Sequence, residues 1–187
     1  MSQLSQFPVY TAKNAPEKSR PTLDQLQQIF GAVPNVAGIM AGSPTLISAF
    51  LSVFRNAHAG SLSEADIQVL LLTNAVTNAC TWAAAFHTHL ALLNGVDAED
   101  VRALRAGLAP ADLKASAMAT LARRFILGRG HVSPTEVAAF TAAGFKAEQA
   151  LEVILVVAAS TITNYAAALG NPPLEDAFAK HAWSTGH

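Results

Sequence analysis

Apolar residues recur three and four positions apart along most of the chain, the spacing of one face of an α-helix. Capping residues, prolines and glycines cut that pattern into segments. Thr22 with Gln25 reads as a capping box that opens a short helix with Leu23, Leu26, Ile29 and Phe30 on one stripe, closed by Gly31. Val33-Pro34-Asn35 starts a brief helical turn through Met40. Ser43-Pro44 predicts a capped start with proline at the first helical position, and Leu46, Phe50, Leu51 and Phe54 give that helix its face. Ser63 with Asp66 caps the next helix. Asp97 with Asp100 opens a short one, and Pro110 starts a long amphipathic one that Gly128-Arg129-Gly130 stops. Ser133-Pro134-Thr135-Glu136 combines a capping box with an N-terminal proline. Nothing alternates with the period of a sheet, so the expected fold class is all-α.

Two segments lack a polar side. Ile67 to Val76, and the run from about Ala147 to Leu169, are apolar almost all round, the mark of helices buried between others. The first leads into Asn78-Ala79-Cys80-Thr81-Trp82-Ala83-Ala84-Ala85-Phe86-His87-Thr88-His89, which holds the only cysteine, one of the two tryptophans and two of the six histidines. With Asn78 as N-cap, Cys80 falls in the first turn, where the helix dipole favours a thiolate. Cys80, Ala83, Ala84 and His87 then share one face. Cys80 and His87 are two turns apart, roughly 10 Å at about 1.5 Å per residue, too far for a direct hydrogen bond. A lone cysteine in an alanine-rich helix also fits a small buried hydrophobe, and Trp82 with Phe86, four apart, fits core or interface packing.

Composition narrows the setting. The chain has 187 residues, 51% of them hydrophobic and 13% charged. That predicts one domain with a substantial core: an extended arm at 1–21, a helical domain at 22–178 and a tail at 179–187. So little charge suggests a surface partly covered by copies of itself. A net charge of -1 gives no reason to expect nucleic acid or an anionic membrane as partner. One cysteine rules out an internal disulfide, the N-terminus lacks an apolar leader core, and no uninterrupted apolar run reaches about 18 residues. The expected location is the cytoplasm. His87 and His89 diverge on a helix and no third ligand stands at ligand spacing, so no metal site is expected.

The order Phe30-Gly31-x-x-Pro34-Asn35, Ser43-Pro44, Leu62-Ser63, then Asn78-x-Cys80-x-x-Ala83-x-x-x-His87 and Gly95 resembles the carboxymuconolactone decarboxylase and alkylhydroperoxidase D superfamily. The closing Asn164-x-x-x-x-Leu169-Gly170-Asn171-Pro172-Pro173-Leu174 is similar to the end of its single-chain, peroxidase-related members. The resemblance implies an all-helical fold around a central helical hairpin and a homo-oligomer (trimer or hexamer); no cofactor is expected. In the redox branch two cysteines three apart cycle between dithiol and disulfide, aided by a histidine and an upstream glutamate. Here the first cysteine is Cys80 and the histidine is His87. The second cysteine position holds Ala83, the glutamate position holds Gln68, and Trp82 lies between.

Three functions compete. Cys80 acts as a one-cysteine thiol peroxidase on an organic hydroperoxide, with an external thiol as reductant and His87 for the proton. Alternatively, a lyase or decarboxylase uses His87 or His89 with one of Arg55, Arg102 and Arg105. The third reading is a non-catalytic homo-oligomer that binds a small molecule. Cys80, His87 and Gln68 are the candidate catalytic positions, and Trp82, Ala83 and Phe86 the candidate pocket.

Overall fold

The computed structural model describes residues 6–185, and these form helices α1 (Arg20–Phe30), α2 (Asn35–Met40), α3 (Pro44–His58), α4 (Glu64–Thr77), α5 (Thr81–Leu93), α6 (Ala98–Arg105), α7 (Leu113–Leu127), α8 (Pro134–Ala142) and α9 (Ala147–Gly170), with 3-10 turns at Glu17–Ser19 and Asp176–His181. No strand occurs among the described residues, and the fold class is all-α. The first five residues of the expected arm and the last two of the tail lie outside the described residues.

The central hairpin is α4–α5. α4 buries every residue from Ile67 to Ala75, and α5 every residue from Trp82 to Thr88. Each fully buried leucine here, such as Leu70 and Leu72, contributes roughly 1.5–3 kcal/mol. α4 packs on α5, α7, α9 and α6, and α9 also covers α3, α2 and α7. By length and composition α9 could cross a membrane, with a mean hydropathy of 1.7 over its most apolar window. Half of that window is buried against other helices. One side carries Val153, Val156, Ser160, Thr163 and Ala167, all buried.

Helix starts follow the sequence where a side chain caps them. Ser63 and Asp66 form a reciprocal capping box, as do Ser133 and Glu136, and Ser43 accepts from Leu46 N–H. Three starts differ from expectation. α1 begins at Arg20, not Thr22, because Pro21 fits its first turn instead of breaking it. The Ser19 hydroxyl fastens this end by donating to the Ala41 carbonyl, 2.7 Å away. α7 starts at Leu113 with Asp112 as its cap, because Ala111 N–H is held by Asp100. Asn78 is not the N-cap of the central stretch: it closes α4. Ala79 turns the chain with φ 54°, and Cys80 caps α5.

The expected tail is tied into the domain. Arg105 donates to the carbonyls of His181 and Ala182, and Trp183 Nε1 donates to the Arg105 carbonyl at 2.9 Å.

Candidate functional site

The hairpin brings Gln68 of α4 against His87 of α5. Both are buried, and His87 Nδ1 lies 3.1 Å from Gln68 Oε1. An amide oxygen only accepts, so Nδ1 carries the proton and Nε2 is left with a bare lone pair. Burial holds the His87 pKa far below its ordinary 6.5, at about 3, with a further push from the charge on His58. The imidazole is therefore neutral throughout the range in which histidine ordinarily switches.

Aromatic rings surround it. Phe86 meets the His87 ring edge-on at 5.2 Å and stacks with Trp82 at 5.0 Å. The Trp82 indole N–H is committed to Glu175 Oε2 at 2.9 Å, and Glu175 also accepts from Asn35 N–H. One carboxylate of the C-terminal segment thus aligns α2 and α5 and fixes the tryptophan ring. Phe30 and Phe54 complete the cluster, with centroids 5.5 Å apart.

These rings line a cavity of about 50 Å³ that reaches from Leu26, Phe50 and Ile67 to Val156 and Ser160 of α9. A wider vestibule of about 440 Å³ adjoins it, bordered by Arg55, Glu64, Gln68 and Asn94. Phe30, Phe54, His58, Leu71, Phe86 and His87 border both. The cavity is apolar apart from a few groups. One of them is the Ser160 hydroxyl, which is buried and has no hydrogen-bond partner.

The sequence reading missed His58, Glu64 and Ser160. His58 ends α3 and Glu64 begins α4. His58 Nδ1 sits 2.9 and 3.1 Å from the two Glu64 carboxylate oxygens, and its ring packs on Phe54 at 4.3 Å. A cation at a helix C-terminus and an anion at a helix N-terminus are each favoured by the helix dipole. The two residues belong to separate helices, and no local pattern announces the pair.

Cys80 lies elsewhere. It is buried, 6% exposed, and borders neither cavity. The expectation that the helix N-terminus lowers its pKa is corrected: desolvation raises it. The backbone N–H groups of Ala83 and Trp82 oppose that rise without overcoming it, and neither makes a cap hydrogen bond to the sulfur. Ala83 is fully buried and also borders neither cavity.

Of the three candidate arginines only Arg55 borders the vestibule. Arg105 is spent on Thr88 and the C-terminal carbonyls, and Arg102 pairs with Glu99. His89 turns away from His87 to pack on Phe178 and His181. Among the described residues no group of three or more His, Cys, Asp or Glu side chains could hold a metal ion.

Residues 44–124, which carry His58, Glu64, Gln68, Cys80 and His87, match the carboxymuconolactone decarboxylase family. No curated protein matches the chain. Among solved structures, it is similar to the alkylhydroperoxidase AhpD core of an uncharacterized peroxidase-related protein from Ralstonia eutropha JMP134. The two share 18% identity over 95% of this chain and 96% of that one, with a TM-score of 0.80. A peroxidase-related protein from Silicibacter sp. TM1040 is 16% identical over 94% and 97%, with a TM-score of 0.75. A Cys-to-Ala variant of the debrominase Bmp8, in complex with 2,3,4-tribromopyrrole, is 17% identical over 97% and 96%, with a TM-score of 0.76. At such identities the likeness is one of fold.

Proposed function

We infer that this chain, whose residues 44–124 match the carboxymuconolactone decarboxylase family, binds a small, neutral, largely apolar molecule at His87 and acts on it without Cys80. One observation carries this reading. A permanently neutral imidazole, oriented by Gln68, presents a bare Nε2 beside an aromatic-lined cavity. An unpaired acceptor in an apolar site selects a ligand that donates an O–H or N–H to it. The unpartnered Ser160 hydroxyl offers a second polar anchor. An anionic ligand fits poorly at His87 itself, since a neutral Nε2 does not offset a buried charge. A tribromopyrrole, the molecule bound to the Bmp8 variant, is neutral, planar and carries an N–H, which suits the same description.

The test is calorimetric titration with 4-ethylphenol, ethylbenzene and 4-ethylbenzoate. Binding of the phenol with the benzoate rejected, unchanged in Cys80→Ala, supports the reading. Absence of phenol binding, or equal affinity for the benzoate, overturns it.

The one-cysteine peroxidase is the second reading. Its support is the place of Cys80 at the N-terminus of α5, where the backbone N–H groups of Ala83 and Trp82 favour the thiolate. An organic hydroperoxide also presents an O–H to His87; its distal oxygen would pass to Cys80 as a sulfenic acid with release of the alcohol, and two equivalents of an external thiol would restore the thiol through a mixed disulfide, releasing water and the external disulfide. Intact-mass kinetics of Cys80 with an organic hydroperoxide test it: oxidation faster than that of a free thiol supports it, and a slower rate removes it.

We further propose that the protein works as a homo-oligomer in the cytoplasm. Leu151, Ile154, Ala158, Tyr165 and Leu169 form an exposed apolar stripe at helical spacing along α9. A second copy of the chain is the occupant that this low-charge composition favours.

A further inference from the structure

We propose that Ser160 and Asn164 of α9 form a second polar subsite for the cavity ligand, one that takes a hydroxyl. The preferred ligand is then a small neutral phenol or alcohol that carries a second hydroxyl besides the O–H given to His87. This rests on the pocket reading above and narrows its ligand class.

Two buried side-chain oxygens of α9, Ser160 Oγ and Asn164 Oδ1, have no partner among the described residues. Their residues are 2% and 1% exposed. A helical serine or threonine can satisfy itself by donating to the carbonyl four residues back, as Thr73, Thr77, Thr88 and Thr161 do. Ser160 does not. The amide of Asn164 is oriented by a chain of contacts. The Val157 carbonyl can only accept, so Asn74 turns its Nδ2 toward it, at 3.0 Å. Asn74 Oδ1 then accepts from Asn78 Nδ2 and from Asn164 Nδ2, the latter at 2.8 Å. Turning the Asn164 amide over would set two oxygens against each other. Its N–H side is therefore committed, and its Oδ1 is a bare acceptor.

Residues four apart on a helix are neighbours, with about 5–6 Å between their Cβ atoms. Ser160 and Asn164 do not bond to each other. A gap of this size suits one inserted group that accepts from the serine and donates to the amide oxygen, and a hydroxyl does both. A carbonyl has no hydrogen for Asn164, and a carboxylate sets a charge against its oxygen. Ser160 opens the subsite to the ligand, because it borders the same cavity as His87, with Val156, Ala159 and Thr163 beside it. Thr163, the other hydroxyl at this wall, already donates to the Ser160 carbonyl at 2.8 Å. A methyl group in place of the second hydroxyl would leave both oxygens unpaired, and a site built to bond a hydroxyl discriminates against the analogue that lacks it.

The experiment is calorimetric titration of two matched pairs in which a hydroxyl replaces a methyl: 4-(hydroxymethyl)phenol against 4-ethylphenol, and 4-(2-hydroxyethyl)phenol against 4-propylphenol. In the wild-type protein the hydroxylated member of at least one pair should bind about tenfold more tightly than its partner, the effect of one hydrogen bond gained by a buried polar group. Ser160→Ala and Asn164→Leu, each checked for an intact melting transition, should bring that ratio to one or below. If Asn164→Leu does not fold, Ser160→Ala decides alone. If the methyl compounds bind the wild-type protein as tightly as the hydroxylated ones, or if the preference survives Ser160→Ala, the subsite is wrong while the pocket at His87 stands. If none of the four compounds binds, the pocket reading fails and this inference with it.

Discussion

His87 Nδ1 and Gln68 Oε1 are 3.1 Å apart in a buried contact between the two arms of the central hairpin. The partner is an amide where the superfamily resemblance leads one to expect a glutamate. A carboxylate would offset a charge on the imidazole, but an amide cannot. Burial therefore acts on His87 unopposed and holds its pKa at about 3.

This contact makes the fold acid-sensitive. The His87 pKa is lower folded than unfolded, so below the ordinary value of 6.5 the unfolded chain binds a proton that the folded one refuses. Stability should fall as pH drops through that value and level off near the folded pKa. By pH 4 the loss from this residue amounts to about 3 kcal/mol. Urea titrations at several pH values should show it, and His87→Gln should flatten that part of the curve.

Cys80 should be a sluggish thiol. It is buried and its pKa is raised by desolvation, so iodoacetamide at neutral pH should label it at least about tenfold more slowly in the folded protein than after denaturation. Mass spectrometry measures both rates. Fast labelling in the folded state would restore the thiol as the working group.

Ser160→Ala should stabilise the ligand-free protein. Its hydroxyl is buried without a partner, and removing an unpaired polar atom regains its desolvation cost, about 1 kcal/mol. The same change should weaken binding of a ligand that pairs with the hydroxyl. A thermal melt and a calorimetric titration together check both signs.

Charge on the α9 stripe should break the assembly. Leu151 and Tyr165 are 67% and 64% exposed in the single chain. Leu151→Lys with Tyr165→Lys should convert an oligomer to a monomer in light scattering while leaving helix content unchanged, since neither side chain fills the core.

The helical pattern was legible because each helix buries a face and most starts carry a local cap. Ser43, Ser63 and Ser133 do so within three residues of sequence. Errors arose where a tertiary contact chose between local signals. Ser19, held by Ala41, moved the start of α1 past the Thr22 pattern. Ala79 takes a left-handed turn without glycine to mark it, which moved Asn78 to the end of α4. Gln68, His87, Trp82 and Phe86 could be read as neighbours because the hairpin is local. His58 and Glu64 could not, since their pairing depends on how the loop around Gly60 and Ser61 folds. That loop is held from α9, 91 residues away, by Glu152 accepting from Ser61. Ser160 was hidden among small residues of a helix whose buried side only packing defines.

The most direct test of the account is long-range 1H–15N NMR of the histidine rings over roughly pH 5 to 8, in the wild-type protein and in Gln68→Glu. The account predicts a His87 ring that stays in the neutral Nδ1–H form throughout in wild type. In Gln68→Glu a buried carboxylate beside the ring should shift its titration upward. A wild-type His87 that titrates within this range, or that carries its proton on Nε2, would contradict the claim that this residue is a fixed, neutral acceptor.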